Sequence, residues 1–185
     1  ITIGQAAMSG VTTGQADSNI AIGVSALVGA AGTTGDCNVA IGKLALTAMT
    51  TGSDNIGIGL SSGDALTTGA CNIAVGCDAL GAMTVGILNV AIGKDAASGV
   101  TTGAFQQNVA IGDGAMKGAA AMVGTNNIAI GAYSADVMTT GIDNVAIGRN
   151  SYGAATTGCR NVAIGDTAMG AAATTGIDKI AMGYT

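Results

Sequence analysis

The sequence predicts an all-β fold, a parallel β-roll or β-solenoid of about ten coils of 17–19 residues, and three observations predict it. First, the string Asn-Val-Ala-Ile-Gly, or a near copy, returns along the whole 185-residue chain. Its final residue falls on Gly4, Gly23, Gly42, Gly59, Gly76, Gly93, Gly112, Gly131, Gly148, Gly165 and Gly183, at spacings of 19, 19, 17, 17, 17, 19, 19, 17, 17 and 18 residues. Second, Thr-Thr-Gly follows in eight of the ten units. A unit this short cannot fold alone, so each must cover the apolar face of its neighbours. Third, charged residues make up 9% of the chain and there are 32 Gly, no Pro and no Trp, against roughly 25% charge in an ordinary globular domain. The core must therefore be built from small aliphatic side chains.

Each part of the unit has an expected role. In Asn-Val-Ala-Ile-Gly the side chains alternate across a strand. Val and Ile are expected inside, as Val39 with Ile41 and Val145 with Ile147, and Ala and Gly on a nearly flat outer face. About four residues later comes a small-apolar stretch, such as Leu44-Ala45-Leu46 or Asp78-Ala79-Leu80, expected to be a second strand or extended segment that closes the coil. The Gly of Thr-Thr-Gly is expected to take a positive φ at a tight corner. The marker Asn recurs as Asn19, Asn38, Asn55, Asn72, Asn89, Asn108, Asn127, Asn144 and Asn161. Stacked at about 4.8 Å, these amides can hydrogen-bond up and down a structural column.

The longer units also follow an order. Extra residues lie at Gln15-Ala16-Asp17-Ser18 and then Val28-Gly29-Ala30-Ala31-Gly32, and again at Ala104-Phe105-Gln106-Gln107 and then Lys117-Gly118-Ala119-Ala120-Ala121. Residues 1–185 therefore form one repeat segment of two five-coil blocks, about 4–93 and 93–183. Two added residues preserve the face a side chain takes; the single addition near Ala171-Ala172-Ala173 needs a bulge. The chain opens inside a marker at Ile1 and closes at Thr185 without a capping unit, which predicts a slice of a longer fibre.

Several functions are disfavoured by what is missing. Without His or Glu the commonest general bases are absent, so no enzyme, catalytic residue or cofactor is expected. Six Lys and Arg against eleven Asp give no basic stripe for nucleic acid, and no apolar run is long enough for membrane insertion. The corners lack an Asp-rich calcium pattern, and no spacing of Cys suits zinc, so no metal is expected. Cys37 and Cys71 precede marker Asn residues two units apart; at roughly 10 Å they exceed the ~7 Å Cα limit of a disulfide. Cys77 is separated from Cys71 by an extended strand, so the four cysteines, with Cys159, are expected as free thiols.

The unit Asn38 to Asp54, Asn-Val-Ala-Ile-Gly-x-x-Ala-Leu with Thr-Thr-Gly in 17 residues, resembles the head repeats of trimeric autotransporter adhesins. It is more similar still to related repeats of phage tail fibres and other extracellular fibres. The resemblance covers the whole chain. Departures are the 19-residue units, Thr2 for the marker Ala, Lys179 for the marker Asn, and Ala121-Met122-Val123-Gly124 for Thr-Thr-Gly. It implies a left-handed parallel β-roll, a homotrimer, an extracellular location on a virion fibre or cell surface, and a role in adhesion or host recognition.

The residues independently point to self-association, because a strand face of Ala and Gly left in water would be apolar; the expected contacts are Ala40, Ala91, Ala146 and Ala163. The leading functional expectation is a structural or adhesive fibre segment that extends or displays a binding tip, with itself as partner and a cell-surface glycan or protein as the further one. Alternatives are an ice-binding solenoid using the Thr column and a polymerising surface filament. If the segment binds a ligand, the irregular coils are the place. Phe105, Gln106, Gln107 and Lys117, with Tyr133 and Tyr152 on the next coils, are candidate sugar contacts, an aromatic face with nearby amides. The competing expectation is a bulge with Phe105 folded onto its neighbours.

Overall fold

The computed structural model describes residues 1–11, 17–29, 33–101, 105–118, 122–153, 157–170 and 176–184. Its strands are β1 (Thr2–Ile3), β2 (Ile20–Ile22), β3 (Val39–Ile41), β4 (Ile56–Ile58), β5 (Ile73–Val75), β6 (Val90–Ile92), β7 (Val109–Ile111), β8 (Ile128–Ile130), β9 (Val145–Ile147), β10 (Val162–Ile164) and β11 (Ile180–Met182). They form one 11-stranded sheet in sequence order. Neighbours pair parallel and in register, with Val39 beside Ile56, Ala40 beside Gly57 and Ile41 beside Ile58. The protein is thus an all-β parallel solenoid, and among the described residues it forms no helix.

The face assignment is the reverse of the expectation. Ala21, Ala40, Ala74, Ala91, Ala110, Ala129, Ala146 and Ala163 are buried at the strand centres, while the flanking Val and Ile are half-buried or exposed. Ile58, Ile92 and Ile130 reach 37–38% exposure. The alternation is present along each strand with its two faces exchanged. The inside is filled from the opposite wall, where Leu27, Leu46, Leu66, Leu80, Met49, Met83 and Met138 are fully buried. Little room is left: a Cβ added at Gly57 would lie 2.7 Å from Leu46 Cγ. A strand centre larger than Ala would collide with that wall.

The segment after the strand is no second strand. It is a run of turns in which left-handed residues alternate with ordinary ones, as Leu44 and Leu46 (φ 62° and 49°) do in one coil. Leu44 donates its N–H to Val24 of the preceding coil and Leu46 donates to Ser62 of the following coil, both at 3.0 Å. Alternating handedness turns successive amides in opposite directions along the stack, so even the curved wall is laddered. A positive φ at a non-Gly residue is uncommon; here the coils above and below hold it in place.

Two glycine positions differ in purpose. The marker Gly has φ near +130°, for instance +132° at Gly93, where an added Cβ would sit 2.5 Å from the Gly112 carbonyl. Among the described residues the Gly of Thr-Thr-Gly is not in the left-handed region, contrary to expectation; at Gly69 an added Cβ would meet the Gly86 carbonyl at 2.5 Å, so close stacking demands it. The positive φ at that corner falls instead on the residue before the marker Asn, as at Asp54 (59°) and Cys71 (57°). A second line of parallel bridges runs along this corner from Ile87 through Gln106, Thr125, Ile142 and Cys159 to Ile177. The expected bulge at 171–173 and much of the extra residues lie outside the described residues.

Candidate functional site

The marker Asn side chains form a continuous buried ladder. Asn72 Nδ2 donates to Asn55 Oδ1 (3.1 Å) and to the Gly86 carbonyl (2.7 Å), and its backbone N–H donates to the same Asn55 Oδ1 (3.0 Å). Asn72 Oδ1 in turn accepts from the backbone and side-chain nitrogens of Asn89, both at 3.0 Å. Equivalent links join Asn38 to Asn55, Asn89 to Asn108, Asn108 to Asn127, Asn127 to Asn144 and Asn144 to Asn161. At one end Asn19 Oδ1 accepts from the Asn38 N–H, and at the other Asn161 Oδ1 accepts from the N–H of Lys179. Each amide thus ties a corner to the coils on both sides. The column is structural, with every polar atom directed inward.

The expected ligand patch is not assembled. Phe105 is 1% exposed and Tyr152 is fully buried, so both belong to the core. Tyr152 occupies the place that Leu46 and Leu80 hold in other coils, and its hydroxyl donates to Asn144 Oδ1 (3.2 Å) while accepting from Asn161 Nδ2 (2.8 Å). Gln106 is half-buried in the corner bridge line; Gln107 is exposed with φ 57°. Lys117 is exposed and pairs with Asp95 one coil away at 3.3 Å. Tyr133, 44% exposed, lies across the flat space over Gly114. No cavity and no cluster of potential metal ligands is present among the described residues.

Charge on the roll is arranged between coils. Arg149 pairs with Asp166 at 2.8 Å and Arg160 with Asp178 at 2.7 Å. The Arg160 guanidinium, through its hydrogen bond, holds the Asp178 carboxyl below the usual range. Burial raises the pKa of Asp64, with Asp78 adding to it, and burial likewise raises Asp136. The Cys77 thiol donates to Asp78 Oδ2 (3.3 Å), which pushes its pKa upward. All four cysteines are free thiols, with Cys37 and Cys71 exposed.

The outward strand face is a continuous surface feature of the roll. Two columns of outward β-branched side chains, beginning with Ile20/Ile22 and Val39/Ile41 and ending with Val162/Ile164, run up one side of the roll. Eight steps of about 4.8 Å make this stripe roughly 38 Å long. At about 10 Å wide it covers on the order of 400 Å², within the range of the largest apolar patch a monomer usually shows. Ala40, Ala91, Ala146 and Ala163, expected as contacts, are sealed inside their own chain and cannot reach a partner. Also missed was the column of large residues placed directly before Thr-Thr, as Met49, Leu66 and Val100, which fills the core. Their recurrence at that fixed place was the available signal.

The solenoid class is thus defined by sheet order, register and the stacked Asn corner. Compared with known proteins, the chain matches no family model, no curated protein and no solved structure.

Proposed function

We propose that the chain is a segment of an extracellular fibre, a rod that associates with copies of itself and extends or displays a binding tip. The observation that carries this reading is the outward Val/Ile stripe. A solenoid whose core is already closed has no internal use for nine levels of half-buried to exposed outward β-branched side chains, and burying them against sister chains removes the apolar surface from water. A homotrimer is the number implied by the resemblance to trimeric fibre repeats, as is the extracellular location. The self-contacts are assigned to Ile58, Ile92, Ile130, Ile147 and their neighbours rather than to the buried Ala column.

The ice-binding alternative is less well supported, because Thr hydroxyls at this place in successive coils are engaged. Thr50, Thr67 and Thr84 donate their hydroxyls to the carbonyls of the next coil's Thr67, Thr84 and Thr101 at 2.9–3.2 Å. Light scattering on the purified chain tests the proposal: an oligomer is expected, and a pair of outward changes, Ile92→Ser with Ile130→Ser, is expected to shift it to monomer with the circular dichroism unchanged. A monomeric wild type would overturn it.

A further inference from the structure

We infer that copies of this chain meet in register around an axis parallel to the stack, and that Cys71 of one copy and Cys77 of its neighbour form a thiol pair that an oxidant can close into an inter-chain disulfide. The inference rests on the self-association proposed above and adds its register and a covalent site.

The two cysteines bracket the same outward face. Cys71 stands one residue before the marker Asn and Cys77 one residue after the marker Gly, so they lie at opposite ends of β5. An extended chain of six residues spans about 20 Å, which prevents a bond within one chain. A rotation parallel to the stack keeps every coil at its own height. Strands carried around such an axis run head to tail, so the end of β5 in one copy meets the start of β5 in the next. Cys71 is exposed and Cys77 half-buried, and both thiols are free.

The charges at the same two positions favour that register. At zero stagger Asp143 faces Arg149 of a neighbouring copy and Arg160 faces Asp166, and no like charges meet. Together with the pairs Arg149–Asp166 and Arg160–Asp178 inside each chain, this gives an alternating row of signs. Sliding one copy by a coil sets Asp143 against Asp166 in one direction. In the other it sets Arg160 against Arg149 and Asp178 against Asp166. Like charges placed together select against both alternatives.

Closure joins the two sulfurs, releases two protons and passes two electrons to an added oxidant, here dissolved oxygen with a copper–phenanthroline catalyst. The test uses the full chain carrying Cys37→Ser and Cys159→Ser, so that only the two thiols in question remain. After oxidation a non-reducing gel is expected to show a ladder at multiples of the chain mass, up to the copy number measured by light scattering, and a reductant should collapse it. Adding either Cys71→Ser or Cys77→Ser should abolish the ladder, whereas mixing the two variants before assembly should restore linked pairs. An oligomer that fails to link, or that still links with one of these cysteines removed, overturns the register and leaves self-association standing. A monomer overturns both.

Discussion

Replacing Asn72 by Ala cuts the ladder at its middle. The side chain donates to Asn55 Oδ1 and the Gly86 carbonyl and accepts from the N–H of Asn89, and it is 1% exposed. Asn55 Oδ1 keeps the Asn72 backbone N–H, and Asn89 Nδ2 keeps the Phe105 carbonyl. The Gly86 carbonyl and the Asn89 N–H lose their partners in a dry corner. Each orphaned buried group costs about 1–3 kcal/mol, so Asn72→Ala is expected to destabilise by about 3–4 kcal/mol. For a chain of this size that is a fall of roughly 6–16 °C in Tm.

Asn72→Asp separates the two halves of the argument. Its carboxylate still accepts from Asn89, but it can no longer donate, and its second oxygen faces the carbonyl oxygens of Asn55 and Gly86. At pH 7 it should be less stable than the Ala variant, because a buried, unpaired charge is worse than a gap. Its folded pKa should be raised, so the protonated form's stability is fully present below the unfolded value of about 3.9 and is lost as pH rises through the folded pKa. Urea unfolding by circular dichroism at pH 4 and pH 7, with hydrogen exchange across β4 to β6 to locate the loss, reads both effects. An Ala variant within about 0.5 kcal/mol of wild type would refute the reasoning, since surface changes away from special features usually fall in that range.

Facing of the strand predicts opposite outcomes at adjacent positions. Ala91→Leu should destabilise the fold by about 1–3 kcal/mol through overpacking, whereas Ile92→Thr should leave the unfolding of the dissociated chain nearly unchanged and weaken assembly in light scattering. Gly93→Ala combines φ +132° with a Cβ 2.5 Å from the Gly112 carbonyl; backbone strain of about 1–3 kcal/mol plus the clash should lower Tm far more than Gly81→Ala, whose nearest neighbour is 3.1 Å away and whose φ is not left-handed. Burial raises the Asp64 pKa, so the folded state binds that proton more tightly than the unfolded. Relative to Asp64→Asn, wild type should therefore gain stability as pH falls from neutral, with the gain complete below about 3.9; a difference independent of pH would contradict it. Asp178, lowered by Arg160, should show the opposite sign against Asp178→Asn, its contribution vanishing in acid.

Features set by spacing were legible in the sequence. The equal heights of the eleven marker glycines determine the parallel order, and the marker Asn at one place per unit determines the ladder. The turn wall was not legible, because Leu44-Ala45-Leu46 reads as strand by apolar character, and nothing local announces that its first and third residues turn left-handed. That choice is made by the coils above and below, whose carbonyls accept the redirected N–H groups. Phe105 and Tyr152 were hard for a similar reason: an aromatic amid Gly, Ala and Thr stands out as an exposed landmark, yet one large ring is also what fills an under-packed coil. Tyr152 does so beside Gly158, which has no Cβ to obstruct its hydroxyl.

The inverted strand face has a single cause, and it links fold to function. Alternation tells which residues share a side and leaves open which side is in; hydrophobicity favoured Val and Ile over Ala. Volume overrules it. Leu and Met from the turn wall reach across the coil, and where the strand centre shrinks to Gly57 the side chain of Leu46 already occupies the space a Cβ would take. Only Ala or Gly fits inward, so the larger residues face out, where β-branched side chains suit a strand. Left in water they would be a liability repeated at each level of the stack. Covered by a second copy at the same height, as proposed above, they would form a continuous interface whose length grows with the number of coils. The packing that closes each coil with small residues therefore leaves the larger β-branched side chains facing out, as the apolar face that the proposed self-association would cover.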